Sequence, residues 1–385
     1  MILVASIERG LMHVRLPSIG KGSGSGGNAT PPGPDHVTWP AVVMISLLVS
    51  LMVSSTARSQ HLDRVKLDAA ISEADRIVRT DPRPFFKNVR SVLVYADTGT
   101  IFEQYYGGMT RDSLSHLQSQ TKSVVALLMG IVIDKGFVQG DHEFVRDYFP
   151  EYFSPAESLK SSLRIRDLLT MSAGFAWEEM IPQDDPENDN MNMYRSDNYL
   201  QYVLSKSVVV APFTSFEYNS GCPMIVAGII ERASHMSLEQ FAEEYLFEPL
   251  HISTWYWIKD STGFCHAGGG LYLTPSDMLK IGILVMDHGS WEGHQIVSES
   301  WIDVMTRPYF PTGCDVSRYG YYWWVREMTR PDGSTTMVVS AEGAGGQKLY
   351  VFPGYRLVVL FTERNYSTPQ VSPIFIRESV LPLLQ

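Results

Sequence analysis

Ser119-Gln120-Thr121-Lys122 is the stretch in which residue types and spacing could do covalent chemistry. On a helix, positions i and i+3 share one face, one turn apart. A helix here would set the Ser119 hydroxyl beside the Lys122 ammonium. A serine hydroxyl becomes a competent nucleophile when a base takes its proton. Lysine is ordinarily too basic for that role at neutral pH, but burial disfavours its charged form and lowers its pKa. The helix N-terminus adds free backbone N–H groups and a positive dipole end for a developing oxyanion. The plainer reading is a Ser N-cap followed by a surface Lys. The run behind the tetrapeptide, Ser123 to Ile133, argues for chemistry. It is apolar nearly all round and predicts a buried helix, closed by Asp134-Lys135-Gly136 with Gly136 at C′.

Two later stretches can complete such a site. Phe213 to Gly221 places Tyr218 in a polar turn before the apolar run Met224 to Ile230. Tyr218 reads plainly as a core tyrosine. Its functional reading is a proton shuttle to the leaving group, its pKa lowered by a nearby Lys122 charge. Ala341-Glu-Gly-Ala-Gly-Gly-Gln347 lies between strand-like runs, and its glycines let backbone approach a ligand closely. Gly343 and Gln347 are candidate substrate contacts there. Trp177, Tyr194 and the cluster Tyr321 to Trp324 are candidate substrate walls, with core aromatics as their plain reading. The acidic loop Asp184 to Asp189 lacks the spacing of an EF-hand and reads as a solvated loop. No metal or other cofactor is called for.

The elements that must position these residues alternate in type along the chain. A helical spacing runs from His61 to Val78 and stops before Pro82 and Pro84. Ser91 to Tyr95 and Thr100 to Tyr106 predict a β-hairpin turning at Asp97-Thr98-Gly99. Leu163 to Met171 and Met236 to Leu250 read as helices. Thr274 and Pro275 read as N-cap and N1 of another helix. Tyr319 to Val325, Thr336 to Ser340, Leu349 to Phe352 and Arg356 to Thr362 read as strands. Val371 to Leu384 reads as a final helix, with Ser372 as N-cap and Pro373 at N1.

Composition bounds the function classes. The 385-residue chain is 44% hydrophobic and 19% charged, so it can bury a large core. The formal net charge of −11 and the lack of a basic arm argue against nucleic acid as a partner. Cys222, Cys265 and Cys314 contain no Cys-x-x-Cys pair, and one disulfide at most could form. We read all three as small core residues. A Gly/Ser/Pro-rich stretch from Gly20 to Pro34 cannot pack a core. The uncharged run Ala41 to Val53 suits a secretory signal better than a span, which needs about 20 residues. Ser55-Thr56-Ala57 offers cleavage after Ala57, and an uncleaved N-terminal membrane anchor is the alternative. The protein is therefore expected to be exported, periplasmic or extracellular, with residues 58–385 as the mature domain. Oligomeric state is left open.

Ser119-Gln-Thr-Lys122, Tyr218-Asn-Ser220 and Ala341-Glu-Gly343, in this order, resemble the serine β-lactamase and penicillin-binding-protein superfamily. Ile165-Arg-Asp-Leu-Leu-Thr-Met-Ser-Ala-Gly174 and Gly268-Gly-Gly-Leu-Tyr-Leu-Thr-Pro275 support the resemblance, which runs from about Leu67 to Leu384. It is closest to class C-like hydrolases, among them esterases and 6-aminohexanoate-dimer hydrolases. The resemblance implies an α/β fold: a mainly antiparallel sheet flanked by helices, with an inserted helical region at about 140–265. It implies Ser119 as the acylated nucleophile, Lys122 as base and Tyr218 as shuttle. It also implies an oxyanion hole from the N–H groups of Ser119 and Ala344, and a substrate-side role for Ser220. Relatives that hydrolyse β-lactams usually carry Lys-Thr-Gly at the third motif, whereas Ala341 has no charge. The reading is therefore hydrolysis of a small amide or ester, with a β-lactamase or D-alanyl-D-alanine carboxypeptidase of the cell envelope as the alternative. A catalytically silent scaffold is the third reading, and the three residues together argue against it.

Overall fold

Alternating apolar residues bury both faces of an eight-stranded antiparallel sheet. A computed structural model describes residues 62–97, 99–313 and 317–384. The Gly-rich stretch, the apolar run, the Ala57 junction and Cys314 lie outside the described residues. The strands in chain order are β1 (Val89–Ala96), β2 (Gly99–Tyr105), β3 (Phe310–Pro311), β4 (Arg318–Tyr319), β5 (Trp324–Thr329), β6 (Thr335–Gly343), β7 (Gln347–Phe352) and β8 (Leu357–Glu363). Their spatial order is β2-β1-β8-β7-β6-β5-β4-β3. The main helices are α1 (Arg64–Thr80), α2 (Gln120–Asp134), α3 (Cys222–Ser234), α4 (Pro275–Met286), α5 (Glu299–Met305) and α6 (Ser372–Phe375).

Period two decides which residues meet which helices. On β7, Leu349 and Val351 face the core shared with α2, α3 and α4. Tyr350 and Phe352 face a second core, shared with α1 and the C-terminal helical turns. On β8, Val358 and Leu360 take the first side, while Leu357, Val359 and Phe361 take the second. The sheet is thus sandwiched between helices, as the resemblance implies.

The predicted buried helix is α2. Every residue from Gln120 to Val132 is buried, polar first turn included. The Gly136 N–H bonds to Ile133 O and the Phe137 N–H to Val132 O, with Gly136 at φ +78°. Trp301 of α5 packs directly on Gly130, where an added Cβ would come within 2.2 Å of the indole. The same indole donates to Ala126 O at 2.9 Å, and Ser123 Oγ donates to Tyr322 O at 2.6 Å. The helix bearing the Ser-x-x-Lys tetrapeptide is therefore pinned along its length.

Residues 140–265 contribute α3, several short helices and the strand Trp255–Trp257, and no strand of the large sheet. That strand pairs with Leu271–Leu273, which pairs with Ser115–His116. This small sheet ties the approach to Ser119 to the Gly268–Gly270 turn.

Four element boundaries differ from the sequence reading. Tyr319 to Val325 is not one strand, because the backbone N–H groups of Tyr321 and Tyr322 bond out of the sheet to Met305 O and Leu169 O. Tyr322 takes φ +60° there, and pairing resumes only at Trp324. The helix predicted from Met236 ends at Ala242 and continues as a π turn, Glu243–Phe247. That predicted from Leu163 is the short Ile165–Leu169. The last helix caps on Val371 rather than Ser372, and the Glu363 carboxylate accepts from the N–H groups of both. Cys222 and Cys265 are buried free thiols. Among the described residues no helix is long and apolar enough to cross a membrane.

Candidate active site

Ser119 occupies the N-cap position of α2 with helical backbone angles, φ −64° and ψ −9°, and its side chain makes no capping bond. The hydroxyl is free to face Lys122, whose Nζ donates to Ser119 Oγ at 2.9 Å. Lys122 is 1% exposed. Its Nζ also donates to Gly268 O at 2.5 Å and lies 5.0 Å from the centroid of the Tyr218 ring. A carbonyl, a hydroxyl and an aromatic face therefore surround the ammonium. The i, i+3 geometry predicted from the tetrapeptide is present, and burial gives it a fixed direction.

Tyr218 stands in the turn before α3. Its ring stacks on Trp324 at 6.3 Å and meets Tyr319 edge-on at 6.3 Å. Asn219 stands two residues before Gly221, the N-cap of the following helix, and its Oδ1 accepts from the N–H groups of Gly221 and Cys222. Ser220 turns toward Glu179, donating from its N–H at 2.6 Å and from Oγ at 2.9 Å. Trp177 is buried and donates from Nε1 to the same carboxylate at 2.7 Å. Glu179 thus anchors two of the anticipated substrate contacts. Tyr194 is 45% exposed and leans on Tyr199 and His266.

The third motif closes against the nucleophile's approach. Ala341 is buried, and its carbonyl accepts from Gln120 Nε2 at 3.1 Å. A Cβ on Gly343 would fall 2.2 Å from Leu117 O and 2.9 Å from Gln118 Cβ. Only glycine lets β6 run this close to the residues before Ser119. Ala344 follows at once, exposed at the head of a turn in which Gly345 and Gly346 take φ +79° and +95°. Gln347 is buried, donates from Nε2 to Glu363 O at 2.6 Å, and leaves Oε1 without a partner. It braces the strands behind the turn. Burial raises the pKa of the Glu363 carboxyl, against the pull of Asn365 and the Val371 and Ser372 N–H groups.

Ser119, Lys122 and Tyr218 are therefore brought together, with Gly343 at their flank, while Ser220 and Trp177 gather on Glu179. Sequence reasoning missed Glu179, the Gly268 carbonyl, His116 and His266. The Gly268–Gly270 run entered only as part of a supporting motif, with no role for its carbonyl, since a backbone acceptor leaves no residue-type signal. His266 is buried with both ring nitrogens unpartnered. Burial, and then the Lys122 charge, push it down to about 3, so the ring is neutral.

Comparison with known proteins places the chain in a family. The chain is 25% identical over 335 residues to the 6-aminohexanoate-dimer hydrolase of Paenarthrobacter ureafaciens, covering 83% of each chain. Among solved structures it resembles EstCE1, described as a hydrolase with promiscuous acyltransferase activity. The TM-score is 0.69 at 14% identity, covering 82% of this chain and 100% of that one. It also resembles a family VIII carboxylesterase, with a TM-score of 0.62 at 16% identity, over 82% and 96% of the two chains. The family model described as Beta-lactamase matches residues 90–378, from β1 to the C-terminal helical turns, and so takes in all three motifs. The chain that carries Ser119 and the buried Lys122 therefore belongs to the beta-lactamase family.

Proposed function

We propose that this protein is a serine hydrolase that cleaves a small amide or ester through an acyl-enzyme on Ser119. The observation that carries the reading is the 2.9 Å contact between Ser119 Oγ and the Nζ of a Lys122 that is 1% exposed. With Lys122 in its amine form, Nζ takes the Ser119 proton as Oγ attacks the substrate carbonyl carbon. The N–H groups of Ser119 and Ala344 meet the oxyanion. Tyr218 passes the proton to the leaving amine or alcohol as the scissile bond breaks. Water then attacks the acyl ester, releasing the carboxylic acid and restoring the Ser119 hydroxyl. The names of the relatives, an amide-dimer hydrolase and a carboxylesterase, support this substrate class. So does Ala341, which is buried and offers no cation to the carboxylate of a β-lactam.

The test is covalent labelling of the protein by a fluorophosphonate, with turnover of a short-chain p-nitrophenyl ester panel, beside Ser119→Ala. Labelling and turnover that vanish in the variant are expected. Equal behaviour of the two proteins would remove Ser119 as nucleophile. Nitrocefin in the same panel is expected to turn over far more slowly than the best ester, and fast turnover would favour the β-lactamase alternative.

A further inference from the structure

The residues that hold Ser119 and Lys122 in register come from two segments far apart in sequence. One is the approach to α2, Ser115 to Gln118. The other is the Gly268–Gly270 turn, whose first carbonyl receives Lys122 Nζ. The approach is conformationally expensive. Gln118, immediately before the nucleophile, sits at φ +53°, in the left-handed region that a non-glycine residue enters only when its surroundings hold it there.

One imidazole joins both segments. His116 Nε2 lies 2.5 Å from Gly269 O. A carbonyl only accepts, so Nε2 carries the proton and Nδ1 is left as an acceptor. Gln118 Nε2 lies 3.0 Å from that Nδ1 and 3.2 Å from the Tyr366 hydroxyl. The ring itself stacks on its cross-strand neighbour Tyr272, with centroids 4.3 Å apart and planes 4° from parallel. Burial lowers the imidazole pKa, against the Gly269 bond, and favours the neutral ring that this bonding needs.

We infer that His116 is a positioning residue of this site: it ties the left-handed Gln118 turn that launches Ser119 to the Gly269 carbonyl beside the Lys122 acceptor. The inference rests on the acyl-serine reading proposed above. Loss of the tie releases the Gln118 side chain on one side and the Gly268–Gly269 backbone on the other. Both moves alter the Ser119–Lys122 distance, and neither His116 nor Gly269 is among the residues read as substrate contacts, so the effect falls on kcat rather than KM.

The test compares wild type, His116→Phe, His116→Gln and Ser119→Ala in fluorophosphonate labelling and in steady-state ester hydrolysis. Phenylalanine keeps the stack on Tyr272 and removes both hydrogen bonds, while glutamine restores a donor near the position of Nε2. H116F should lose at least about tenfold in kcat with KM within about twofold, since small misplacements of reacting groups are costly. H116Q should recover most of that loss. The inference is overturned if H116F keeps wild-type kcat, or if H116Q is no better than H116F. Should H116F fail to fold, His116→Asn takes its place, because asparagine offers no donor at the Nε2 position. Equal kcat for H116N and H116Q then overturns the inference. Labelling of wild type and Ser119→Ala alike overturns the acyl-serine reading and this inference together. Labelling confined to Ser119, with H116F unaffected, overturns this inference alone.

Discussion

Replacing Lys122 with methionine should separate catalysis from stability at this site. Lys122 Nζ lies 2.9 Å from Ser119 Oγ and 2.5 Å from Gly268 O. The substitution removes the base, and a positioned general base contributes about 10²–10⁴ in rate. Folding should respond much less. The unbranched thioether fills the space of the lysine stem. Gly268 O is left unpaired, at a cost of about 1–3 kcal/mol. Against that, methionine has no polar nitrogen to strip of water on burial. The two oppose each other, so Tm should stay within roughly 5 °C of wild type. The assay is the rate of fluorophosphonate labelling followed by in-gel fluorescence, with melting by circular dichroism on the same samples. Labelling within about threefold of wild type would refute Lys122 as the base, because a base is worth far more than that. A folded variant that labels slowly is the expected result. A variant that melts far below wild type would instead make Lys122 mainly a structural tie between α2 and the Gly268 turn.

Other positions test the surrounding architecture. Gly343→Ala drives a Cβ to 2.2 Å from Leu117 O, which is backbone and cannot rotate away. Overpacking of this kind costs about 1–3 kcal/mol, and a displaced strand edge should cut kcat by about 100-fold. Unchanged Tm and kcat would contradict the contact. Burial pushes the Asp167 carboxyl up to about 6 from its ordinary 3.8, against the Arg164 N–H bond and the Arg166 and Arg164 charges. The folded state therefore binds the proton more tightly than the unfolded state. The resulting stability is fully present below about pH 4 and is lost as pH rises through 6, on the order of 2–3 kcal/mol in all. Urea midpoints of wild type relative to Asp167→Asn should thus be highest near pH 4 and decline by pH 7, and a constant difference would sink the assignment. Burial raises the thiols of Cys222 and Cys265, the latter up to about 12. Both should resist an aromatic disulfide reagent in the native protein and react in denaturant, with mass mapping to identify any site that reacts early.

Local pattern was legible where neighbours in sequence are neighbours in space. The run after Ser119 announced a buried helix because its apolar residues leave no polar face, and α2 is buried from Gln120 to Val132. The hairpin at Asp97–Gly99 and the N-cap at Thr274, whose hydroxyl accepts from the Asp277 N–H, followed from turn and cap chemistry. Tyr319 to Val325 misled because aromatic, β-prone residues read as one strand. In the fold, the middle of that stretch gives its backbone bonds to Met305 and Leu169. Ser372 misled as an N-cap because a distant carboxylate, Glu363, meets the N–H groups at this helix start in place of a local serine hydroxyl. Trp177 and Ser220 read as substrate contacts, and what they share is a carboxylate, Glu179, that no motif marks.

The sequence by itself determined the helix that carries Ser119 and Lys122, the turn before α3 that carries Tyr218, and the glycine that lets β6 approach. Each is encoded within a few residues, by helical period, by a cap or by the lack of a side chain. Tertiary structure decided what orients the lysine and the nucleophile's turn. Lys122 meets a carbonyl 146 positions away, and His116 meets one 153 positions away. Both acceptors are backbone oxygens, which every residue carries, so nothing in the residue type announces them. Only the pairing of Ser115–His116 with Leu271–Leu273 brings them within reach.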